Sequence, residues 1–399
     1  MSVTYPLGFR AAGLHCGIRQ GREKPDLALL ASDVPAAAAA VYTTNLVKGA
    51  PLLVTREHLQ NGTARAIVCN SGNANTCNAD GLFVARGMCR AAAEQLGVPA
   101  GEVLVASTGV IGQPLPIAPI AAAMPALCGA LSPDGGAQAA CAIMTTDTFS
   151  KEAAAEFTVG GVTCRIGGMA KGSGMIQPDM ATMLAFVTID VAIAPDLLAQ
   201  ALRESAEGTL NMLSVDGDTS TNDMCCVLAN GLAGNEIITA PGPALDAFKQ
   251  ALDQVLTALT RMLARDGEGA TKLLECRVTG AKTQADARLA AKGVISSSLF
   301  KAAMFGADAN WGRVLCALGY SGADIGVARV GVSFESPAGR VHVCENGAGI
   351  PFPEDLAKRV LGEEEIIVLV TLQDGEAAAT AWGCDLTYDY VKINGDYRT

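Results

Sequence analysis

The spacing of apolar residues along the chain predicts helices mixed with strands. Between positions 242 and 265 the apolar side chains recur mostly at steps of three and four, and two prolines introduce the segment. That period indicates a helix with one buried face. Residues 283–304 show a weaker helical pattern, in which we expect Gly293 to interrupt the helix. The proline-rich residues 114–125 predict a loop that leads into a helix.

Short apolar runs separated by glycine predict strands joined by tight turns, and the chain contains 44 glycines. The clearest pair is 366–373 and 376–383, which flank Asp374 and Gly375. An Asp-Gly pair between two extended runs predicts a β-hairpin. No repeat, heptad pattern or low-complexity linker is evident, so the patterns predict an α/β protein of mixed β-sheets layered between helices.

Composition limits the classes of partner. The chain has 399 residues, of which 50% are hydrophobic, and this is enough for one large multilayer domain or two moderate ones. The net charge of −11 and the lack of basic runs argue against nucleic acid and anionic membranes as partners. We expect no secretory signal, and the alanine-rich residues 34–42 are too few to span a bilayer.

Cysteine and histidine usage argues against metal and disulfide sites. The 13 cysteines include no C-x-x-C pair, which favours reduced thiols in a cytoplasmic protein without zinc. Only three histidines exist, and none has the spacing of a metal site. We expect His15 and His342 to be hydrogen-bonded core residues. Any catalysis is therefore expected to run without imidazole, metal or cofactor.

The run KGSGMIQPDMATML, from Lys171 to Leu184, carries one hydroxyl near its end, that of Thr182. The glycines before it do not have the spacing of a phosphate-binding loop or of a dinucleotide fingerprint. The stretch DGDTSTND at 216–223 lacks the glycine and glutamate that a calcium loop needs, and it predicts a turn. On pattern alone, Thr182 is an ordinary strand residue.

The same run resembles the signature of the ornithine acetyltransferase family, also called glutamate N-acetyltransferase. Further blocks match the family in the expected order and cover essentially the whole length: GFRAAGLHCGI (8–18), CNSGNANTCNADG (69–81), STGVIG (107–112), MTTDT (144–148), SVDGDTSTND (214–223), DGEGATK (266–272), GADANWGR (306–313) and INGDYRT (393–399). We interpret SVDGDTSTND and GADANWGR as turns that support the pocket.

The resemblance implies an N-terminal-nucleophile-like fold whose precursor cuts its own backbone between Ala181 and Thr182. The products would be an alpha chain, 1–181, and a beta chain, 182–399, as parts of one continuous fold and not necessarily independent domains. The cut would uncover an α-amine, whose ordinary pKa is about 7.7 to 8.0 against about 10.4 for a lysine. That amine can act as general base where Lys171 ordinarily cannot.

The implied reaction transfers the acetyl group from N-acetylornithine to glutamate through an acetyl-threonine, in arginine biosynthesis. The Thr182 hydroxyl would be the nucleophile, and Thr108 and Gly109 would form the oxyanion hole. The family's substrate-binding positions match these residues of the chain: Thr148, Lys171, Thr182, Glu268, Asn394 and Thr399. By charge, Lys171 suits a substrate carboxylate and Glu268 suits the ornithine ammonium. The resemblance also implies a dimer of cleaved heterodimers.

Several alternatives stay open. Acetyl-CoA is a possible second acetyl donor, which would make the enzyme multifunctional. A self-cleaving aminopeptidase or amidohydrolase of related fold would hand the acyl group to water instead. An uncleaved binding protein without enzymatic activity would keep Thr182 packed in a strand, and STGVIG would then be an ordinary glycine turn.

Overall fold

The computed structural model describes residues 2–19, 24–177 and 183–396. The strands are β1 (Phe9–Leu14), β2 (Leu27–Tyr42), β3 (Thr63–Asn70), β4 (Val103–Ser107), β5 (Lys151–Val159), β6 (Val162–Lys171), β7 (Leu184–Ile189), β8 (Leu213–Ser214), β9 (Met224–Ala229), β10 (Leu273–Ala281), β11 (Gly331–Ser336), β12 (Gly339–Glu345), β13 (Ala348–Gly349), β14 (Glu365–Thr371) and β15 (Ala377–Cys384). The α-helices are α1 (Ala50–His58), α2 (Gly81–Leu96), α3 (Ile117–Gly129), α4 (Gly136–Ala142), α5 (Pro195–Gly208), α6 (Pro243–Arg265), α7 (Gln284–Ser296), α8 (Ser298–Phe305), α9 (Trp311–Tyr320), α10 (Glu354–Leu361) and α11 (Tyr388–Asp396).

The strands form two mixed sheets. The first has eight strands in the order β4-β3-β2-β9-β7-β6-β5, with β1 paired to β2. The second has seven strands in the order β13-β12-β11-β14-β10-β15-β8. Parallel pairs such as β7 with β9 and β10 with β14 lie among antiparallel ones. Strands from both sides of residues 178–182 share the first sheet, because β6 pairs with β7.

Helix α6 lies between the two sheets and joins them into one core. Its apolar stripe, including Phe248, Leu252 and Leu259, is buried in the same hydrophobic cluster as residues of both sheets. The helix begins and ends where its 3.6-residue period predicted. Every residue of β7 and β9 is buried, which explains why the sequences of these strands are mostly apolar and do not alternate with polar residues. The predicted class of mixed β-sheets layered between helices is confirmed.

The predicted hairpin around Asp374 and Gly375 is wrong. The strands β14 and β15 both exist, but β10 lies between them, parallel to β14 and antiparallel to β15. The backbone N–H groups of Asp374 and Gly375 both donate to the Gly280 carbonyl, at 2.7 and 2.9 Å. The turn therefore wraps around the end of a third strand, which a local Asp-Gly signal does not reveal.

The helical pattern of 283–304 forms two helices that separate at Ser297, and Gly293 does not interrupt either. Gly293 lies within α7, close to Ser321, where a β-carbon would meet the serine side chain at 2.7 Å. The Ser297 hydroxyl accepts a hydrogen bond from the Phe300 N–H and caps α8. The break is therefore a capping site. In the proline-rich stretch, α3 already begins at Ile117 and contains Pro125.

The histidine prediction is also wrong. The His15 side chain is 36% exposed, with Nδ1 3.0 Å from the Lys24 carbonyl. His342 is exposed and contacts Ser333. The cysteines are all free thiols. No helix within the described parts of the chain combines the length and apolar character needed to cross a membrane.

Candidate active site

Loops from distant parts of the sequence and the last helix line an open cleft with a cavity volume of about 140 Å³. Its walls come from the loops after β3, β4 and β6, the loops before β5 and β9, the loop after α6, and α11. The lining residues are Ala74, Thr108, Gly109, Ile111, Thr145, Thr146, Lys171, Gly174, Met175, Asp216, Asp218, Ser220, Thr221, Asn222, Glu268, Tyr390 and Asn394.

The cleft brings together most of the site residues that the sequence predicted. Those in its lining are Thr108, Gly109, Lys171, Glu268 and Asn394. Thr148 is not among the lining residues and belongs to a neighbouring pocket. Ala181, Thr182 and Thr399 lie outside the described residues. The roles assigned to all of these residues stay predictions.

The turn after β4 presents two hydrogen-bond donors to the cleft. Its backbone is held to the loop after β3, because the Thr108 N–H donates to the Asn70 carbonyl at 3.0 Å. Gly109 has a φ of +124°, and a β-carbon there would lie 2.9 Å from the Asn73 nitrogen, so only glycine fits. Within the described residues, the Thr108 hydroxyl and the Gly109 N–H have no hydrogen-bond partner. Two unengaged donors on adjacent residues are what an oxyanion hole requires.

A buried lysine forms another part of the wall. Lys171 ends β6, is 4% exposed, and donates from Nζ to the Thr145 hydroxyl at 2.7 Å. Its Nζ is 3.9 Å from the Asp147 carboxylate. Burial lowers the pKa of Lys171, and the charge of Asp147 opposes that effect. An ammonium so placed can bind a substrate carboxylate in the cleft.

A buried ion-pair network lies beneath Lys171. Lys151 is fully buried, with Nζ 2.7 Å from Asp147 and 2.5 Å from Asp266. Burial raises the pKa of Asp147, but the charges of Lys171 and Lys151 outweigh burial and hold that pKa below its ordinary value. Thr148 donates to the Asp266 carboxylate from both its N–H and its hydroxyl. Thr148 therefore supports this network, and it is Thr145 that faces the cleft.

A carboxylate and an amide, those of Glu268 and Asn394, also line the cleft, and the carboxylate carries the charge opposite to that of Lys171. The Asn394 Nδ2 donates to Glu268 Oε2 at 2.8 Å, and the Glu268 N–H donates to the Ser173 carbonyl at 2.9 Å. A side chain at Gly174 would collide with the Glu268 carboxylate, so the glycine allows the carboxylate to lie against the backbone. Among the described residues, the other Glu268 oxygen has no hydrogen-bond partner, and such an oxygen suits an ammonium group.

The described residues on either side of 178–182 are bonded to β9 and to the loop before it. On one side, Ile176 donates its N–H to Asp216 at 2.7 Å and Gln177 donates its N–H to the Asp218 carbonyl at 2.9 Å. On the other, the Met183 carbonyl accepts from Met224 at 3.1 Å. The residues that flank 178–182 are therefore bonded to the loop before β9 on one side and to the first residue of β9 on the other.

Sequence reasoning missed several lining residues. Thr145 belongs to the same block as Thr148, but a run of hydroxyls does not show which of them points into a cleft. The SVDGDTSTND block contributes Asp216, Asp218 and Asn222 to the lining, where we predicted supporting turns only. No cluster of His, Cys, Asp and Glu suited to a metal occurs in the described portion of the chain.

Comparison with known proteins agrees with the geometry. The ArgJ family model matches residues 10–399. Arginine biosynthesis bifunctional protein ArgJ of Symbiobacterium thermophilum is 56% identical over 399 residues, covering 100% of this chain and 98% of the relative. The protein of the same name from Caldanaerobacter subterraneus is 50% identical over 398 residues, covering 100% of this chain and 98% of the relative.

Among solved structures, arginine biosynthesis bifunctional protein ArgJ from Bacillus halodurans is 43% identical with a TM-score of 0.51, and the match covers 54% of this chain and 100% of that one. The family model and the curated relatives extend over nearly the whole sequence, including every loop that lines the cleft. The chain therefore belongs to the ArgJ family.

Proposed function

We propose that the chain transfers the acetyl group of N-acetylornithine to glutamate, with Thr182 as the nucleophile. Its family is one of acetyltransferases of arginine biosynthesis. The observation that carries the proposal is the cleft itself: two unengaged donors at Thr108 and Gly109, a buried cation at Lys171 and a carboxylate at Glu268 all line it.

The cut between Ala181 and Thr182 is part of the proposal. It is supported by the flanking residues Ile176 and Gln177, which bond to Asp216 and Asp218 of the cleft lining. The solved Bacillus halodurans chain matches, over its whole length, 54% of this chain. Residues 182–399 make up about 55% of the sequence, a share close to that one, which favours a cleaved, N-terminal-nucleophile enzyme.

The reaction then needs no histidine. The Thr182 α-amine takes the proton of the Thr182 hydroxyl, and the oxygen attacks the acetyl carbonyl of N-acetylornithine. The Thr108 hydroxyl and the Gly109 N–H donate to the oxyanion, each contributing roughly 3 to 4 kcal/mol. The proton passes to the leaving amine, ornithine departs, and the amine of glutamate takes the acetyl group by the reverse sequence of steps.

The substrate pocket follows from charge. Lys171 binds the α-carboxylate, and Glu268, oriented by Asn394, binds the side-chain ammonium of ornithine. Thr145 joins these residues, since it lines the cleft and its hydroxyl accepts a hydrogen bond from Lys171. Thr148 supports the pocket through its hydrogen bonds to Asp266, and Thr399 is the remaining substrate-binding residue. We extend the proposal to acetyl-CoA as a second donor and to a cytoplasmic dimer of cleaved heterodimers.

The experiment combines a denaturing gel, N-terminal sequencing and product analysis. Purified protein should run as two fragments, the second beginning at Thr182, and should convert N-acetylornithine and glutamate into ornithine and N-acetylglutamate in equal amounts. Free acetate in place of N-acetylglutamate would indicate the hydrolase. One full-length band together with transfer activity would overturn the proposed mechanism.

Three variants sharpen this test. Thr182→Ala should abolish both cutting and transfer, whereas Thr182→Ser should retain part of each because the hydroxyl survives. The control is Thr188→Val in β7. This change removes a buried hydroxyl that donates to the Val3 carbonyl. This control should still be cut and active. Loss of cutting in Thr188→Val as well as in Thr182→Ala would point to general misfolding.

A further inference from the structure

The side chain of Asn222 lies at the junction of three loops that bound the cleft. It is 5% exposed, and its Nδ2 donates to the carbonyls of Ala74 at 2.6 Å and Ser107 at 2.9 Å. Its Oδ1 accepts from the hydroxyls of Thr76 at 2.5 Å and Thr221 at 2.6 Å. Both donors and both lone pairs of the amide are therefore used.

The surroundings permit only this orientation of the amide. The two groups at Nδ2 are carbonyl oxygens, which can only accept, and the two at Oδ1 are hydroxyls, which can donate. A rotated amide would place its oxygen against two carbonyl oxygens. The amide also packs flat on Gly49, where a β-carbon would lie 2.6 Å from Nδ2. Asn222 is thus held in one position as well as bonded in it.

One of these bonds reaches the turn after β4, which carries Thr108 and Gly109. The Ser107 carbonyl and the Thr108 N–H belong to the same planar peptide unit. Asn222 binds the carbonyl end of this unit at 2.9 Å, and the Asn70 carbonyl binds the N–H end at 3.0 Å. A peptide unit held at both ends is restrained, so the backbone from which the Thr108 hydroxyl and the Gly109 N–H project is fixed at its start.

We infer that Asn222 is a positioning residue for the oxyanion hole: through the Ser107 carbonyl, its amide holds Thr108 and Gly109 in the orientation in which they meet the oxyanion. This inference rests on the proposed function. Asn222 does not itself need to touch the substrate. Its contribution should therefore appear in the steps that pass through an oxyanion, and hardly at all in substrate binding.

The test measures kcat and KM on the cleaved form of Asn222→Ala and Asn222→Asp. Alanine removes the donor, and aspartate sets an oxygen against two carbonyl oxygens. Loss of one oxyanion donor costs about 10²- to 10³-fold in kcat, so loss of its support should cost about 10- to 100-fold. We expect KM to change by less than about threefold.

A double-mutant cycle with Thr108→Ala separates positioning from a general structural role. If Asn222 acts through Thr108, then Thr108→Ala should cost about 10²-fold in the parent but about tenfold or less in Asn222→Ala. Multiplicative effects would overturn the inference. The matched control is Asn230→Asp, which also removes a buried amide donor to a carbonyl, that of Leu7, beyond the other end of β9. It should lower stability and leave both kcat and the cost of Thr108→Ala unchanged.

A second variant covers failure of the Asn222 variants to be cut. Gly49→Ala keeps every polar group but adds a methyl against the amide, and it should lower kcat in the same direction. A normal kcat for Gly49→Ala, in a variant whose crystal structure shows the Asn222 amide moved away from the Ser107 carbonyl, would then reject the inference. The proposed function fails separately, if Thr108→Ala leaves kcat unchanged or if no acetyl-threonine forms in the parent.

Discussion

Two pairs of buried lysines, one below the cleft and one beside the second sheet, have different partners. Lys151 and Lys171 contact the carboxylate of Asp147, and Lys171 lines the cleft. Lys272 donates to two backbone carbonyls at 2.6 Å, those of Met304 and Leu361, which lie in the last turns of α8 and α10. Lys301 donates to a third carbonyl, that of Val215, at 2.6 Å.

The comparison shows that burial of a charge does not by itself indicate function. All four lysines are at most 8% exposed. The pair below the cleft is held by carboxylates, which neutralise the charge and leave part of the Lys171 ammonium facing the cleft. The other pair satisfies carbonyl groups, including those at helix ends, where cations are favoured. Of these four lysines, Lys171 is the one among the lining residues of the cleft, so its position distinguishes it and its burial does not.

Lys171→Met tests the first half of the comparison and should have the largest effect. Truncating one side of a buried charge contact costs about 2 to 5 kcal/mol, so kcat/KM for N-acetylornithine should fall by at least about 30-fold. The diagnostic substrate is N-acetylputrescine, which lacks the α-carboxylate. The parent should strongly prefer N-acetylornithine, and the variant should lose most of that preference.

The ratio of the two substrates makes the result specific. A variant that loses activity equally on both would show that Lys171 does not bind the carboxylate, and the assignment would fail. Kinetics are measured on cleaved protein, with Lys358→Met, an exposed lysine of α10, as the control. That control should match the parent on both substrates.

Lys272→Met tests the second half and should act on stability. Two buried carbonyls would lose a charged donor, which should lower the free energy of unfolding by roughly 2 to 4 kcal/mol. The measurement is denaturant unfolding, with kcat determined on the same preparation. We expect kcat to stay within about twofold of the parent. A tenfold loss of kcat at unchanged stability would contradict the comparison.

The fold could be predicted from sequence where the signal is local and periodic. The apolar residues between 242 and 265 recur with a helical period, and this local pattern predicted α6 correctly. The existence of β14 and β15 was also predicted correctly, but their pairing was not. Insertion of β10 depends on long-range hydrogen bonds at Gly280, and a two-residue turn signal carries no information about a distant strand.

The site could be predicted where its residues lie in recognisable sequence motifs. Lys171, Glu268 and Asn394 were singled out by their blocks, and the structure brings them into one cleft with Thr108. Which hydroxyl of a threonine run faces the cleft depends on loop geometry, and Thr148 instead binds Asp266. The roles of Asn222 and Lys272 depend on partners far away in the sequence, so pattern alone could not assign them.

The smallest expected effect is a change in how stability depends on pH. Burial lowers the pKa of Lys171 in the folded protein. Between that lowered pKa and the ordinary value of about 10.4, the unfolded chain binds more protons than the folded one, so this lysine makes stability rise with pH. Below the lowered pKa, both states carry the charge and the full cost of burying it is present.

Unfolding at pH 8, 9 and 10, at one protein concentration, should therefore show the parent gaining stability relative to Lys171→Met as pH rises. Lys358→Met should run parallel to the parent, since its lysine is exposed in the folded protein. If the parent and Lys171→Met also ran parallel, burial would not disfavour the charge of Lys171, and the balance we describe between burial and Asp147 would be wrong.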